Sequence, residues 1–211
     1  MAKYPIYLEL AGRRVVVVGA GAVAARKAQT LSEVGARIVV IAKDASQAFE
    51  KTCSKLNIEL VISSYSKDYL AEAVLAIAAT NDLNLNRRIY KDCQELEVLC
   101  NVVDQPELCD FFVPAVVKRG PLQIAVGTDG NCPAYAGHLR KKLEDQFTED
   151  HGRFITELES IRKRIIAEIP DGAKRKAILG QLAGDKSLEY FLANGCAKWQ
   201  AYAQQIIAES Q

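Results

Sequence analysis

With 211 residues, 49% of them hydrophobic, the chain is long enough to bury a full core and is expected to form one large domain or a domain with an appendage. Its 27 Lys plus Arg stand against 26 Asp plus Glu, a formal charge of +1, so no global basic field exists to draw in nucleic acid or an anionic membrane, and any anionic ligand must be held by local groups. The start MAKYPIYLEL lacks a basic head and a cleavable apolar stretch, and no apolar run nears the roughly 20 residues of a membrane span, so a cytoplasmic protein is expected.

The first half alternates apolar runs with helical patterns. RVVVVGA reads as a strand, Ala22 to Val34 as an Ala-rich helix with Gly35 as C-cap, and RIVVIA at 37–42 as a second strand, which makes one βαβ unit. IELVI (58–62), VLAIAAT (74–80), a helix from about Asn84 to Leu96 and VLCNVV (98–103) continue the pattern. Near-continuous apolar strands separated by helices predict an α/β fold whose parallel sheet is covered on both faces.

After Asp104 the grammar changes. FFVPAVV (111–117), a turn at KRGP (118–121) and LQIAVG (122–127) predict two antiparallel strands, whose exposed edges suit a homodimer. TDGNCP is a polar loop, and Pro133 is placed to open a helix through AYAGHLRKKLEDQF. From about 148 onward the chain is helical and charged, divided by Pro170, Gly172 and the stretch from Gly180 to Gly184.

The six cysteines, Cys53, Cys93, Cys100, Cys109, Cys132 and Cys196, form no CxxC pair and have no histidine at zinc-finger spacing. Neither a structural metal nor a disulfide framework is expected, and most of the thiols are expected to be small apolar fillers. His138 and His151 are the only histidines, and a surface or capping role is expected for both rather than metal ligation.

VVVVGAGAVAARK places Gly19 and Gly21 directly after a strand and before a helix, with Ala24 third in a GxGxxA turn. Such a turn lets backbone N–H groups approach a pyrophosphate, so nucleotide binding is expected. The acidic residue that would hold a ribose belongs at the end of the second strand, where Ala42-Lys43-Asp44 stands. Lys43 suits a 2′-phosphate and Asp44 a free ribose; the sequence leaves NADP and NAD both open. Thr80 and Asn81 close the fourth strand at the same ligand-binding edge, and Asn81 or Asp82 equally fits a helix N-cap. Asp104 also has two readings, a turn residue two before Pro106 and a base at a strand's carboxyl end.

PIYLELAGRRVVVVGAGAVAARK, LAIAATND, NVVDQPELCDFFVPAVVKRGPLQIAVGTDGNCP and RKKLE, in that order over roughly residues 4–145, resemble the siroheme synthase family in its precorrin-2 dehydrogenase and sirohydrochlorin ferrochelatase module. The resemblance implies a Rossmann-type NAD-binding domain at 1–112, a small α+β dimerisation region at 113–147 and a C-terminal helical domain at 148–211. It implies oxidation of precorrin-2 to sirohydrochlorin with NAD, and in many members ferrous iron insertion to give siroheme. By position it gives Ala22, Val23, Lys43 and Asp44 as cofactor contacts, Asp104 as the catalytic carboxylate and Thr128 as a site-loop residue. A chain of this length is expected to lack the methyltransferase domain fused to the module in some bacteria. Gly127-Thr128-Asp129-Gly130-Asn131 departs from the family's small, glycine-rich loop by adding a charge at Asp129.

Hydride loss from a reduced tetrapyrrole leaves a cation that must also lose a proton, and iron insertion releases two pyrrole N–H protons, so one carboxylate could serve both steps. The substrate's carboxylates call for cations: Lys118, Arg119 and Arg140, with Lys141 and Lys142, are candidates by location, against the reading of a solvated charged face. Iron enters as co-substrate, so no metal-binding cluster is required. Two alternatives stand beside the bifunctional enzyme: a dehydrogenase without chelatase activity, and a domain that senses NAD without turnover.

Overall fold

A computed structural model describes residues 3–209; the ends of the first and last expected domains, 1–2 and 210–211, lie outside the described residues. The chain divides into two compact units, Met1–Val113 and Pro114–Gln211.

The first unit is α/β. Five parallel strands, β1 (Arg14–Val18), β2 (Arg37–Ala42), β3 (Glu59–Ile62), β4 (Ala73–Ala78) and β5 (Leu99–Val102), lie in the order β3-β2-β1-β4-β5. Helices α1 (Ala22–Glu33), α2 (Gln47–Lys55) and α3 (Leu83–Glu95) connect them. Alternate residues of each strand face opposite sides. Val15, Val17, Ile38, Val40, Leu75 and Ile77 pack with Ala24 and Ala28 of α1 and with Phe49 and Cys53 of α2. Val16, Val18, Val39, Ile41, Ala76 and Ala78 pack with Ile89 and Cys93 of α3 on the other side. Burial on both faces is why these strands read as unbroken apolar runs. Helix α2 carries a weak apolar signal in sequence, Phe49 and Cys53 one turn apart; Ser46 starts it by accepting from the Phe49 N–H at 3.2 Å.

In the second unit, β6 (Ala115–Arg119) and β7 (Leu122–Val126) pair antiparallel, and α4 (Pro133–Gln146), α5 (Glu149–Glu168), α6 (Gly172–Leu182), α7 (Asp185–Asn194) and α8 (Cys196–Glu209) follow. Phe154, Ile161 and Ile165 of α5 share a core with Leu182, Phe191 and Trp199. The Trp199 indole N–H donates to the buried Ser187 hydroxyl at 2.8 Å, which satisfies both polar groups.

Three expectations need correction here. The strand expected from 111 starts at Ala115, because residues 109–111 return along the free edge of β5, where Asn101 bridges Cys109, and Pro114 has no N–H to donate. Lys118 and Arg119, expected in a turn, end β6 in register with Gln123 and Leu122; the turn is Gly120-Pro121. The tail breaks once more than expected, at Gly195, which ends α7.

The hairpin and the helices are one packed body. A Cβ at Gly152 of α5 would lie 2.7 Å from the Arg119 carbonyl carbon, so helix and strand meet backbone to backbone.

Candidate active site

The carboxyl ends of the parallel strands bring the expected nucleotide-binding residues of the first unit to one edge. The chain leaves β1 through Gly19 and reaches α1 at Gly21, between the paths to β2 on one side and β4 on the other, which is the switch point of the sheet. Gly19 has φ +119°, and a Cβ there would lie 2.9 Å from the carbonyl carbon of Ala79. Gly21, the N-cap of α1, would place a Cβ in open space. Among the described residues no side chain caps α1, and its first turn holds no acidic residue. The first-turn N–H groups, those of Ala22 and Val23 among them, thus face an open position at the positive end of the helix dipole, and this cradle fits a dinucleotide pyrophosphate.

Lys43 and Asp44 follow β2 at the same edge, both exposed and without a hydrogen-bond or ion-pair partner among the described residues. Thr80 and Asn81 differ in availability. The Thr80 hydroxyl donates to Asn86 Oδ1 at 2.7 Å and accepts from the Asp82 N–H at 3.2 Å, while Asn86 Nδ2 returns a bond to the Thr80 carbonyl at 3.0 Å. Asn86 is buried and locks the end of β4 to α3. Asp82 caps α3 by accepting from the N–H groups of Asn84 and Leu85, so Asn81 is spared that task and stays exposed.

Asp104 stands where the chain turns over the end of β5. The Gln105 N–H donates to the Val102 carbonyl at 3.3 Å, and Asp104 takes the left-handed conformation with φ +60°. Aspartate tolerates that region better than most residues, at a cost of roughly 1 kcal/mol. Its carboxylate is exposed and has no hydrogen-bond or ion-pair partner among the described residues.

What holds this turn went unread in the sequence. The Cys109 thiol lies 3.3 Å from the Val102 carbonyl and 3.2 Å from that of Gln105, so it bonds to the backbone on either side of Asp104. Burial raises the thiol's pKa and keeps it a donor. Asn101 Nδ2 donates to the Phe111 carbonyl at 2.9 Å, and Asp110 accepts from the Cys100 N–H at 2.8 Å and from Gln94 Nε2. Cys109 is therefore not a filler, nor are the exposed Cys132 and Cys196; Cys53, Cys93 and Cys100 are buried.

The candidates of the second unit fare unevenly. Arg119 Nε donates to the Phe147 carbonyl at 2.8 Å and NH2 to that of Glu144 at 3.1 Å, with Glu149 as ion partner. Its guanidinium ties the last turn of α4 to β6 and is not free for a substrate. Arg140 pairs with Glu144 one turn on. Lys118 is exposed, and Thr128 accepts from the Cys132 N–H at 3.3 Å, closing the loop before α4. His151 accepts from the Thr148 N–H in a capping box at the start of α5, and His138 stacks on Tyr135.

Family models match both halves of this arrangement. One described as NAD(P)-binding covers residues 6–115, and one described as "Sirohaem biosynthesis protein central" covers residues 119–146. The siroheme synthase of Psychrobacter cryohalolentis is 36% identical over 182 residues, which is 86% of this chain and 35% of that protein. That of Thioalkalivibrio sulfidiphilus is 34% identical over 190 residues, 90% of this chain and 39% of the other. The chain thus spans well under half the length of these curated relatives. A solved structure titled "SirC, precorrin-2 dehydrogenase" shares the fold, with a TM-score of 0.78 at 23% identity over 98% of this chain and 100% of that one.

Proposed function

The chain belongs to the siroheme synthase family, and from that premise we propose that it oxidises precorrin-2 to sirohydrochlorin with NAD, and inserts ferrous iron to give siroheme at the same site. The observation that carries the reading is the unpartnered Asp104 carboxylate at the sheet edge that also bears the glycine turn.

NAD, when bound, supplies the hydride acceptor. Gly19, Gly21, Ala22 and Val23 cradle its pyrophosphate, Asp44 takes the ribose, and Lys43, Asn81 and the backbone at Thr80 complete the contacts. Asp104 accepts the proton that the tetrapyrrole must lose along with the hydride, so two electrons and two hydrogens leave the macrocycle. With no hydrogen-bond or ion-pair partner among the described residues, that carboxylate is available to the substrate. In iron insertion the same group receives pyrrole protons as the metal enters. Lys118 and Thr128 are proposed substrate contacts, with Arg140 a weaker candidate because Glu144 shares its charge. A homodimer is proposed from the hairpin, whose outward face carries Val116 paired with Ala125. A cytosolic setting is proposed with it, in keeping with six free cysteines; among the described residues no helix is long and apolar enough to cross a membrane.

The decisive assay is anaerobic precorrin-2 oxidation with NAD by the wild type and Asp104→Ala. A wild type without turnover would sink the reading, and equal rates in both would remove Asp104 from the chemistry. Sirohydrochlorin with ferrous iron, followed by absorption, tests the second activity; insertion no faster than without enzyme would leave a dehydrogenase alone.

A further inference from the structure

The packed side of α1 carries one charge. Ala24, Ala28 and Leu31 recur at the spacing of a single helix face and pack into one core. Lys27 stands at the edge of that face and is half-buried, with no hydrogen-bond or ion-pair partner among the described residues. Burial, and next the adjacent charge of Arg26, lower its pKa from the ordinary lysine value. A lysine that carried its head into water along an apolar stem would escape that desolvation.

The loop that bears Asp104 shares the core on which this face of α1 packs. Val103 and Phe111, near the two ends of that loop, pack into the same core as Ala24 and Ala28. Cys109, whose thiol bonds the carbonyls flanking Asp104, lies within electrostatic reach of the Lys27 ammonium. Lys27 lies five residues past Ala22, about 7.5 Å along the axis from the start of α1. Burying an unpaired ammonium costs free energy, and a ligand anion removes that cost.

We propose that Lys27 is a substrate-positioning residue, whose ammonium pairs with a peripheral carboxylate of the tetrapyrrole on which Asp104 acts. The inference rests on the oxidoreductase reading above.

Lys27→Met keeps the stem and removes the charge; Lys27→Arg keeps the charge. For Lys27→Met the KM for precorrin-2 rises about tenfold to a hundredfold, the range of a charge-assisted hydrogen bond, with kcat within about threefold and NAD affinity unchanged. Lys27→Arg recovers most of the loss. An unchanged KM in Lys27→Met overturns the proposal, as does an equal weakening of NAD binding, which would assign the ammonium to the cofactor. Acylation of lysines in the wild type, read by mass spectrometry, decides the matter even where a variant fails to fold or no turnover is found. Sirohydrochlorin, and not NAD, is expected to protect Lys27, and absence of protection overturns the proposal. Wild type that binds the tetrapyrrole and protects Lys27 without oxidising precorrin-2 would count against the oxidoreductase reading alone.

Discussion

Gly19 and Ala79 meet where two neighbouring strands end, and the backbone of one fills the place where a side chain of the other would stand. A Cβ on Gly19 would lie 2.9 Å from the Ala79 carbonyl carbon, nearer still to its oxygen, and φ is +119°. Gly21, two residues on, has φ −81° and open space over its Cα. The two glycines of the turn therefore do different things: the first lets β1 and β4 close, and the second leaves the helix start bare.

Gly19→Ala is expected to cost about 3 kcal/mol or more in stability, from strain and overpacking together. Gly21→Ala fits the backbone and should unfold at nearly the wild-type denaturant midpoint. Its methyl group nonetheless intrudes on the pyrophosphate position, so NAD affinity falls by about tenfold or more, as for a lost charge-assisted contact. Denaturation curves paired with nucleotide titrations check both. A Gly21→Ala protein that binds NAD like the wild type would exclude α1 as the phosphate site.

Asp104 gives a separation of stability from activity. Its left-handed backbone carries strain that glycine would relieve, so Asp104→Gly should fold no worse than wild type, and by up to about 1 kcal/mol better. The same change removes the proposed base and should lower the oxidation rate by about 10²- to 10⁴-fold. Asp104→Asn keeps a side chain suited to that conformation and loses only the charge. Its rate should match that of Asp104→Gly; a rate near wild type would show that the position serves the turn.

Asp44 and Lys43 are proposed to divide the cofactor choice between them, and both are exposed and unpartnered among the described residues. Asp44→Ala should weaken NAD by about tenfold through a lost ribose hydrogen bond while sparing NADP. Lys43→Ala should do the reverse if it meets a 2′-phosphate. Titrations of both nucleotides against the two variants read this out, and an Asp44→Ala protein with unchanged NAD affinity would move the ribose contact elsewhere.

Arg119 is predicted to act on the fold and not on the substrate. Arg119→Ala leaves the Phe147 and Glu144 carbonyls without their donor and should cost about 2 kcal/mol. Lysine lacks the forked guanidinium and should restore little of it. The KM for precorrin-2 in the surviving folded protein should stay within about twofold of wild type; a larger rise would return Arg119 to the substrate contacts.

The sheet was legible because burial on two faces writes unbroken apolar runs, as in RVVVV and RIVVIA, and the GxGxxA turn between them marks the edge where the nucleotide is proposed to bind. Asp104 could be singled out because an acid at a strand's end is unusual, although the sequence could not show that its carboxylate has no hydrogen-bond or ion-pair partner among the described residues. The rest of the site hides in contacts between residues of ambiguous type. Cys109 looks like a small apolar filler until its thiol meets two carbonyls, and Arg119 looks like a free turn cation until α4 comes back over it. Lys27 did leave a trace, a charge at the edge of the Ala24-Ala28-Leu31 face.

That trace carries a pH signature. A lysine whose pKa is lower in the folded than in the unfolded protein binds fewer protons when folded, so stability rises with pH between the two values. Below the folded value the charged ammonium opposes folding in full, and the opposition is relieved as pH climbs toward the ordinary value of 10.5. Lys27→Met removes the opposition outright. The variant should therefore be more stable than wild type at neutral pH, with an advantage that shrinks toward pH 10.5. Denaturant midpoints of both proteins across that range measure it. A variant less stable than wild type at neutral pH would mean that the ammonium already has a partner in the unliganded protein, and the substrate carboxylate would lose its place beside it.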